Sequence, residues 1–161
     1  MERKPHRRHP VKTEMLAFDR TPDHRSPKAK KTIPIPAEKT VLLIDDEEMI
    51  RDITSEMLQY LGYRCLTAAD GSQGIDLYRA NQKEIDLVIL DVEMPGLPGD
   101  KVFTKLKEIE PGTQVIICSG YSREYLENRV FRRKLDHFIA KPFQIQTLLA
   151  QLKRLLETAD V

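Results

Sequence analysis

The feature that most restricts the fold is an alternation along the chain. Short runs in which every side chain is apolar trade places with longer stretches whose apolar residues recur every three or four positions. Val41–Ile44, Leu87–Leu90 and Val115–Cys118 are continuous apolar runs of strand length, and Phe138-Ile139-Ala140 is a shorter one. A strand apolar on both faces needs cover on both faces, the mark of a parallel sheet layered between helices. Ile50, Ile53, Met57 and Leu61 predict a first helix, stopped by Gly62. Ile75 and Tyr78 mark a second over 71–79, and Val102, Phe103, Leu106 and Ile109 a third. A fourth, about 122–132, has the weakest stripe; Ile145, Leu148, Leu149, Leu152 and Leu155 give the last a clean one. Residues 64–68 supply the remaining strand. Five βα units predict a small doubly wound α/β domain with a five-stranded parallel sheet and five helices.

The polar residues stand where these strands stop. Asp45-Asp46 follow the first strand, Asp91 the third, Ser119-Gly120 the fourth and Lys141-Pro142 the fifth. Parallel strands bring their C-terminal ends to one edge of the sheet, where open α/β sheets bind ligands. Two carboxylates about 4 Å apart repel by roughly 4 kcal/mol at an effective dielectric of 20. A cluster of three therefore keeps a proton or takes in a cation. Hard oxygen ligands with open positions suit Mg²⁺. Lys141 suits a phosphoryl oxygen, Ser119 can donate a hydrogen bond to another, and Gly120 leaves room for the group. Asp91 is then free to act as a nucleophile, since carboxylates do form acyl-phosphates. Singly, each residue has a plainer role: Asp46 or Ser119 as a helix cap, Lys141-Pro142 as a turn. Their joint placement on one edge argues for a site.

Charge divides the chain where the alternation begins. Residues 1–39 hold eleven Lys and Arg against five Asp and Glu, and residues 40–161 hold fifteen against twenty. Six of the ten prolines precede residue 37, with no apolar period around them. Residues 1–38 are therefore expected to form a flexible basic tail, and 39–158 the globular domain. The tail's charge could attract nucleic acid or anionic lipid. Phe18 is its only aromatic residue, so base stacking has little to work with, and nucleic acid is not an expected partner. No apolar run exceeds four residues, against about 20 for a membrane span. A cytoplasmic protein without membrane insertion is expected. Cys65 and Cys118 lack metal-ligand spacing and lie in strands, so both are expected to be inert core thiols.

In order and spacing, Asp45-Asp46, Asp91 followed by Met94-Pro95-Gly96, Ser119-Gly120 and Lys141-Pro142-Phe143 resemble the signature of response-regulator receiver domains, over residues 39–158. The resemblance implies the flavodoxin-like strand order 2-1-3-4-5. It implies that Asp91 is the phosphoacceptor of a two-component phosphorelay, charged by a sensor histidine kinase or a histidine phosphotransfer protein. Mg²⁺ is the implied cofactor, held by Asp46, Asp91 and the backbone carbonyl of Glu93, with Asp45 acting mostly through water. Lys141 and Ser119 would contact the phosphoryl oxygens. Ser119 would also be the switch residue, followed inward by the aromatic on strand five, here Phe138; a static core ring is the alternative. Glu93, Gly120 and Tyr121 would flank the phosphoryl group, and the Lys141–Pro142 peptide would be cis.

The resemblance also assigns output to the helix 4–strand 5–helix 5 face, through an unidentified downstream protein, and leaves a dimer through that face open. Arg132-Arg133-Lys134-Leu135, where the family often has a small Gly-Ala pair, makes that surface this chain's own. No output domain is expected to follow. The expectation is a signalling domain, not an enzyme, that promotes its own phosphoryl transfer and dephosphorylation. Two readings from other classes compete: a Mg²⁺-dependent aspartyl-phosphate phosphatase or hydrolase, disfavoured because the acid pair comes first, and a nucleic-acid-binding adaptor working through the basic tail.

Overall fold

The computed structural model describes residues 39–156; the segment 1–38 read as a basic tail, and the last five residues, lie outside the described residues. Strands and helices alternate from the start: β1 (Thr40–Ile44), α1 (Glu48–Tyr60), β2 (Arg64–Ala68), α2 (Gly71–Asn81), β3 (Ile85–Asp91), α3 (Gly99–Ile109), β4 (Gln114–Ser119), α4 (Arg123–Tyr125), β5 (His137–Ala140) and α5 (Ile145–Leu156). All strand pairs are parallel, in the order β2-β1-β3-β4-β5. This is the flavodoxin-like arrangement.

The continuous apolar runs are explained by the pleat, which sends successive side chains to opposite faces. Leu42, Ile44, Val88, Leu90 and Ile117 join Tyr78, Phe103 and Leu106 of α2 and α3 in one core. Val41, Leu43, Leu87, Ile89, Ile116 and Cys118 join Leu58, Leu148 and Leu152 of α1 and α5 in the other. Burying one such aliphatic side chain stabilises the fold by about 1.5–3 kcal/mol. At the end of β3, Gly99 lets α3 start against the strand. A Cβ there would lie 2.6 Å from Val92 Cα and 3.1 Å from the Asp91 carbonyl.

Three details depart from the sequence reading. In α1 the buried side chains are Thr54 and Leu58, while Ile53 is 55 % exposed and Ile50, Met57 and Leu61 are half-buried. Neighbouring helix positions differ by about 100°, so a core face centred on Thr54 turns Ile53 to the rim. The stripe through Ile53 named the wrong neighbour. Cys118 is buried and its thiol is pushed up to about 12 by that burial, but Cys65 is only half-buried, because β2 is an edge strand. No helix among the described residues is long and apolar enough to cross a membrane.

The third departure lies after β4. The expected helix over 122–132 is a single α turn, capped by Ser122 Oγ accepting from the Tyr125 N–H, followed by a π-helical turn over Leu126–Val130. The Phe131 N–H reaches back five residues to the Leu126 carbonyl at 2.8 Å. This wider coil turns Glu127 inward, to 7 % exposure. Its carboxylate accepts from the Leu135 N–H at 2.9 Å, from Lys134 Nζ at 3.1 Å and from Arg123 at 3.4 Å. Arg123 also donates to the Leu135 carbonyl at 2.7 Å. The Leu135 hydrogen bond, helped by Lys134 and Arg123, holds the Glu127 carboxyl below its ordinary 4.5.

Glu127 therefore fastens the 132–135 segment to the turn after β4. A folded pKa below the ordinary value gives stability that is complete above 4.5 and is lost as pH falls through the folded pKa. Glu127→Gln is expected to lower the melting temperature at neutral pH, and the gap to wild type is expected to close in acid once the pH falls through the folded pKa, below 4.5. Thermal unfolding at both pH values checks this; a gap that persists undiminished in acid would show that the carboxylate charge is not what holds the segment.

Candidate functional site

Strand register assembles the polar residues. Ile44 pairs with Leu90, so Asp45 and Asp91 follow side by side on adjacent strands, at the point where the chain order reverses around β1. Asp91 pairs in turn with Cys118, so Ser119 stands one step beyond it, and Ser119 pairs with Ala140, which puts Lys141 one step beyond that. The Lys141 N–H donates to the Ser119 carbonyl at 2.7 Å, anchoring the stem. From there the ammonium reaches back across the sheet, donating to Asp91 Oδ2 at 2.8 Å and to Asp45 Oδ2 at 3.1 Å. The Lys141–Pro142 peptide is cis.

Backbone amides hold the carboxylates in place. Asp45 Oδ1 accepts from the Glu47 N–H at 2.9 Å, and Asp91 Oδ1 from the Glu93 N–H at 3.0 Å. Each is a side chain closing on its own backbone two residues on, the local turn that Asp favours. Arg51 adds a hydrogen bond to the Asp45 carbonyl at 2.7 Å, a support that reading strand ends alone did not reveal. Asp45, Asp91 and Ser119 are buried and Asp46 half-buried. Asp45, Asp46 and Asp91 each offer a carboxylate oxygen, all within 4.8 Å of one another.

Burial decides the Asp45 carboxyl, raising it above its ordinary value although the Glu47 amide and Lys141 pull it down. For Lys141, burial alone would lower the ammonium. The hydrogen bond and charge of Asp91, with those of Asp45, outweigh it and raise the pKa. The crowding expected from the sequence is thus met partly from within, by one lysine charge set against two of the three carboxylates.

The flanking positions are also gathered, with unequal contacts. Ser119 Oγ accepts from the Tyr121 N–H at 3.0 Å, which leaves its own proton free to be donated elsewhere. Glu93 turns its side chain toward β4 and accepts from the Gly120 N–H at 2.6 Å. A Cβ on Gly120 would sit 3.3 Å from both Glu93 carboxylate oxygens, tighter than an ordinary contact. Tyr121 is exposed and packs on Tyr125, ring centroids 5.0 Å apart. Phe138 is half-buried against the first core, with the Arg123 guanidinium 5.6 Å from its ring. It stands among the α4–β5 contacts, apart from the carboxylate cluster's hydrogen bonds.

The family model for the response regulator receiver domain matches residues 41–153. This chain belongs to that family. Among its relatives, the sensor kinase CckA of Brucella abortus is 29% identical over 133 residues, 83% of this chain and only 14% of that protein. Sporulation initiation phosphotransferase F of Bacillus subtilis is 32% identical over 117 residues, 72% of this chain and 92% of that one. The response regulator TrrA of Thermotoga maritima, solved with Mg²⁺ and BeF, is 32% identical and superposes with a TM-score of 0.63 over 73% of this chain and 99% of its own. A second structure holds TrrA in complex with the histidine kinase ThkA (31% identity, TM-score 0.64, 73% of this chain and 98% of that one). Receiver domains are signalling domains, and they bind Mg²⁺ at an acidic pocket. The donor set of this receiver domain, three hard carboxylates within 4.8 Å, fits that ion.

Lys141 is 19 % exposed and its two partners 4 %. Removing one member of a buried ionic cluster typically costs about 3–5 kcal/mol, because the remaining charges lose their partner. Lys141→Met is expected to cost on that order in EDTA, and millimolar Mg²⁺ is expected to raise its melting temperature more than it raises wild type's. Melting curves with EDTA and with Mg²⁺ for both proteins check this. Equal metal-induced shifts would show that the ammonium is not what balances the carboxylates.

Proposed function

We propose that this receiver domain, carried by residues 39–158, takes a phosphoryl group onto Asp91 from the phosphohistidine of a sensor kinase or phosphotransfer protein. The observation that carries this reading is the half-buried Lys141 ammonium bridging the buried Asp91 and Asp45 beside a third carboxylate. An Asp91 oxygen attacks phosphorus, the O–P bond forms as the N–P bond of the donor breaks, and the imidazole leaves with the electron pair and is protonated. Asp45, Asp46, Asp91 and the Glu93 carbonyl would hold Mg²⁺, which when bound neutralises charge on the phosphoryl oxygens. Lys141 transfers its hydrogen bond from Asp91 to a phosphoryl oxygen, and Ser119 donates its free proton to another.

The surface beside the site suits a protein donor. A depression of about 430 Å³ is lined by Ile50, Ile53, Phe143 and Ile145 together with Lys141. The exposed Met49 and Ile53 of α1 extend the apolar area. A donor helix seated there brings its histidine to the Lys141 side of the pocket. Phosphorylation adds a charge of about −2 next to Ser119. The strand-end turn then rearranges, and the face made by α4, β5 and α5 presents the change to a downstream protein or a second copy of this chain. In this reading Ser119 moves and Phe138 follows by packing alone. The phosphatase and nucleic-acid readings are not supported by the match to the receiver-domain family.

Incubation of the chain with acetyl phosphate and Mg²⁺ tests the reading. One phosphoryl group per chain is expected on Asp91, seen by intact mass and peptide mapping, and none on Asp91→Asn. Multiple turnovers of a generic phosphate ester that depend on Asp91 would instead make the domain a hydrolase, and a stoichiometric label on another residue would overturn the site.

A further inference from the structure

A second concavity, of about 770 Å³, lies between α3 and the end of the π turn with the residues that follow it. Five cations line it, Lys101 and Lys107 from α3 and Arg129, Arg132 and Arg133 opposite, against two carboxylates, Asp100 and Glu108. This excess of three positive charges sits in a domain whose residues 39–156 hold sixteen Lys and Arg against eighteen Asp and Glu. The charge is concentrated on one groove against the sign of its surroundings.

These cations are largely uncompensated. Lys101 lies 3.7 Å from Asp100, and Lys107 donates to the carbonyls of Thr113 at 2.6 Å and Pro111 at 3.3 Å. Arg129 and Arg132 form no ion pair among the described residues. The Arg133 guanidinium lies 5.4 Å and the Lys107 ammonium 5.7 Å from the centre of one ring, Phe103. Burial lowers the Lys107 pKa, Asp136 opposes this, and Arg133 adds to the lowering. Arg132 has φ +50, a left-handed conformation that glycine adopts without penalty and a long side chain does not. A large cation is held at that position despite the backbone.

The lining also narrows what can bind. Of the apolar residues lining it, Phe103 is only 6 % exposed and Val130 and Phe131 are half-buried, the two rings packed edge to face, so the lining is dominated by charged groups and not by an apolar slot for a peptide anchor or an open ring face for a base. A long nucleic acid would run out over a net-acidic surface. What the groove offers is guanidinium forks and ammonium groups spread over about 9 Å of α3 from Lys101 to Lys107, in a volume normal for a small-molecule site. Guanidinium forks match phosphate oxygens bidentately. We propose that this groove binds an oligophosphate chain, as free polyphosphate or as the phosphates of a nucleoside di- or triphosphate, gripped by Arg129, Arg132 and Arg133. The proposal does not rest on Asp91 accepting a phosphoryl group.

The test uses the full chain in EDTA, where the acidic pocket repels phosphates. Tripolyphosphate, ADP and AMP are titrated while backbone amide NMR shifts are followed. Saturable binding of tripolyphosphate and ADP is expected, with shifts centred on 100–108 and 129–134 and AMP weaker by about tenfold or more, since it loses charge-assisted hydrogen bonds. ADP binding more tightly than tripolyphosphate would make a nucleotide the ligand, and equal or weaker binding a free polyphosphate. Arg129→Gln and Arg132→Gly should each weaken binding about tenfold. Arg132→Gly should leave the melting temperature unchanged or raised, because glycine relieves the left-handed residue. No saturation at millimolar ligand, shifts centred on residues 1–38 or on the Asp91 pocket, unchanged affinity in both variants, or a Glu-rich peptide binding where tripolyphosphate does not, would each overturn the proposal.

Discussion

A single lysine set among three carboxylates governs this structure. Asp45 and Asp91 are buried on neighbouring strands, and an isolated pair of such charges would be hard to keep ionised there. Lys141 makes the arrangement tenable, but only because β5 lies beyond β4 and its first residue after the strand is tied to Ser119. The sheet order, the register and the end of β5 are therefore all needed to bring one ammonium to two acids. Among the described residues Asp46 forms no ion pair, and the oxygen cluster fits a divalent ion. The same imbalance suits the pocket to a divalent cation, which adds the interaction that the lysine alone does not supply.

How much of this was legible in the residues depends on distance along the chain. Most of the strands could be read because burial on both faces leaves a signal of its own, three or four apolar residues in a row ended by a polar one. The site could be read because strand ends in a parallel sheet share an edge, so Asp45, Asp91, Ser119 and Lys141 were placed together by topology before any distance was known. Contacts that depend on rotation about a helix axis were less accessible. Ile53 and Thr54 are adjacent in sequence and about 100° apart on α1, and hydrophobicity alone favoured the isoleucine. The core took the threonine, which left an apolar rim next to Lys141.

The turn after β4 was the least readable element, for a related reason. Its weak stripe is a consequence of π winding, which abandons the 3.6-residue period on which helical reading relies. The determinant is a buried acid, Glu127, whose partners come from seven and eight residues ahead and four behind. A helix rule looks for i and i+4 pairs, and Arg123 with Glu127 satisfies one. The bond to the Leu135 amide is tertiary, and no local pattern announces it. In the Arg132-Arg133-Lys134 run, Lys134 turns to the Glu127 carboxylate and Arg133 to the Phe103 ring.

The two regions are physically joined. Ser119 accepts from the Tyr121 amide, Ser122 caps the next turn, and Arg123 in that turn touches the Phe138 ring, the Leu135 carbonyl and Glu127. Within a few residues the chain passes from the edge of the carboxylate pocket to the clamp that shapes the α4–β5 surface. The clamp is held by charge-assisted hydrogen bonds, each worth more than a neutral one but each tied to a fixed geometry. Ser119, Ser122 and Arg123 thus carry successive hydrogen bonds within a few residues. Arg123 cannot leave Glu127 without also disturbing the Leu135 carbonyl and the face of Phe138. The guanidinium packed on the Phe138 ring supplies a polar contact that the ring, without a hydroxyl, lacks.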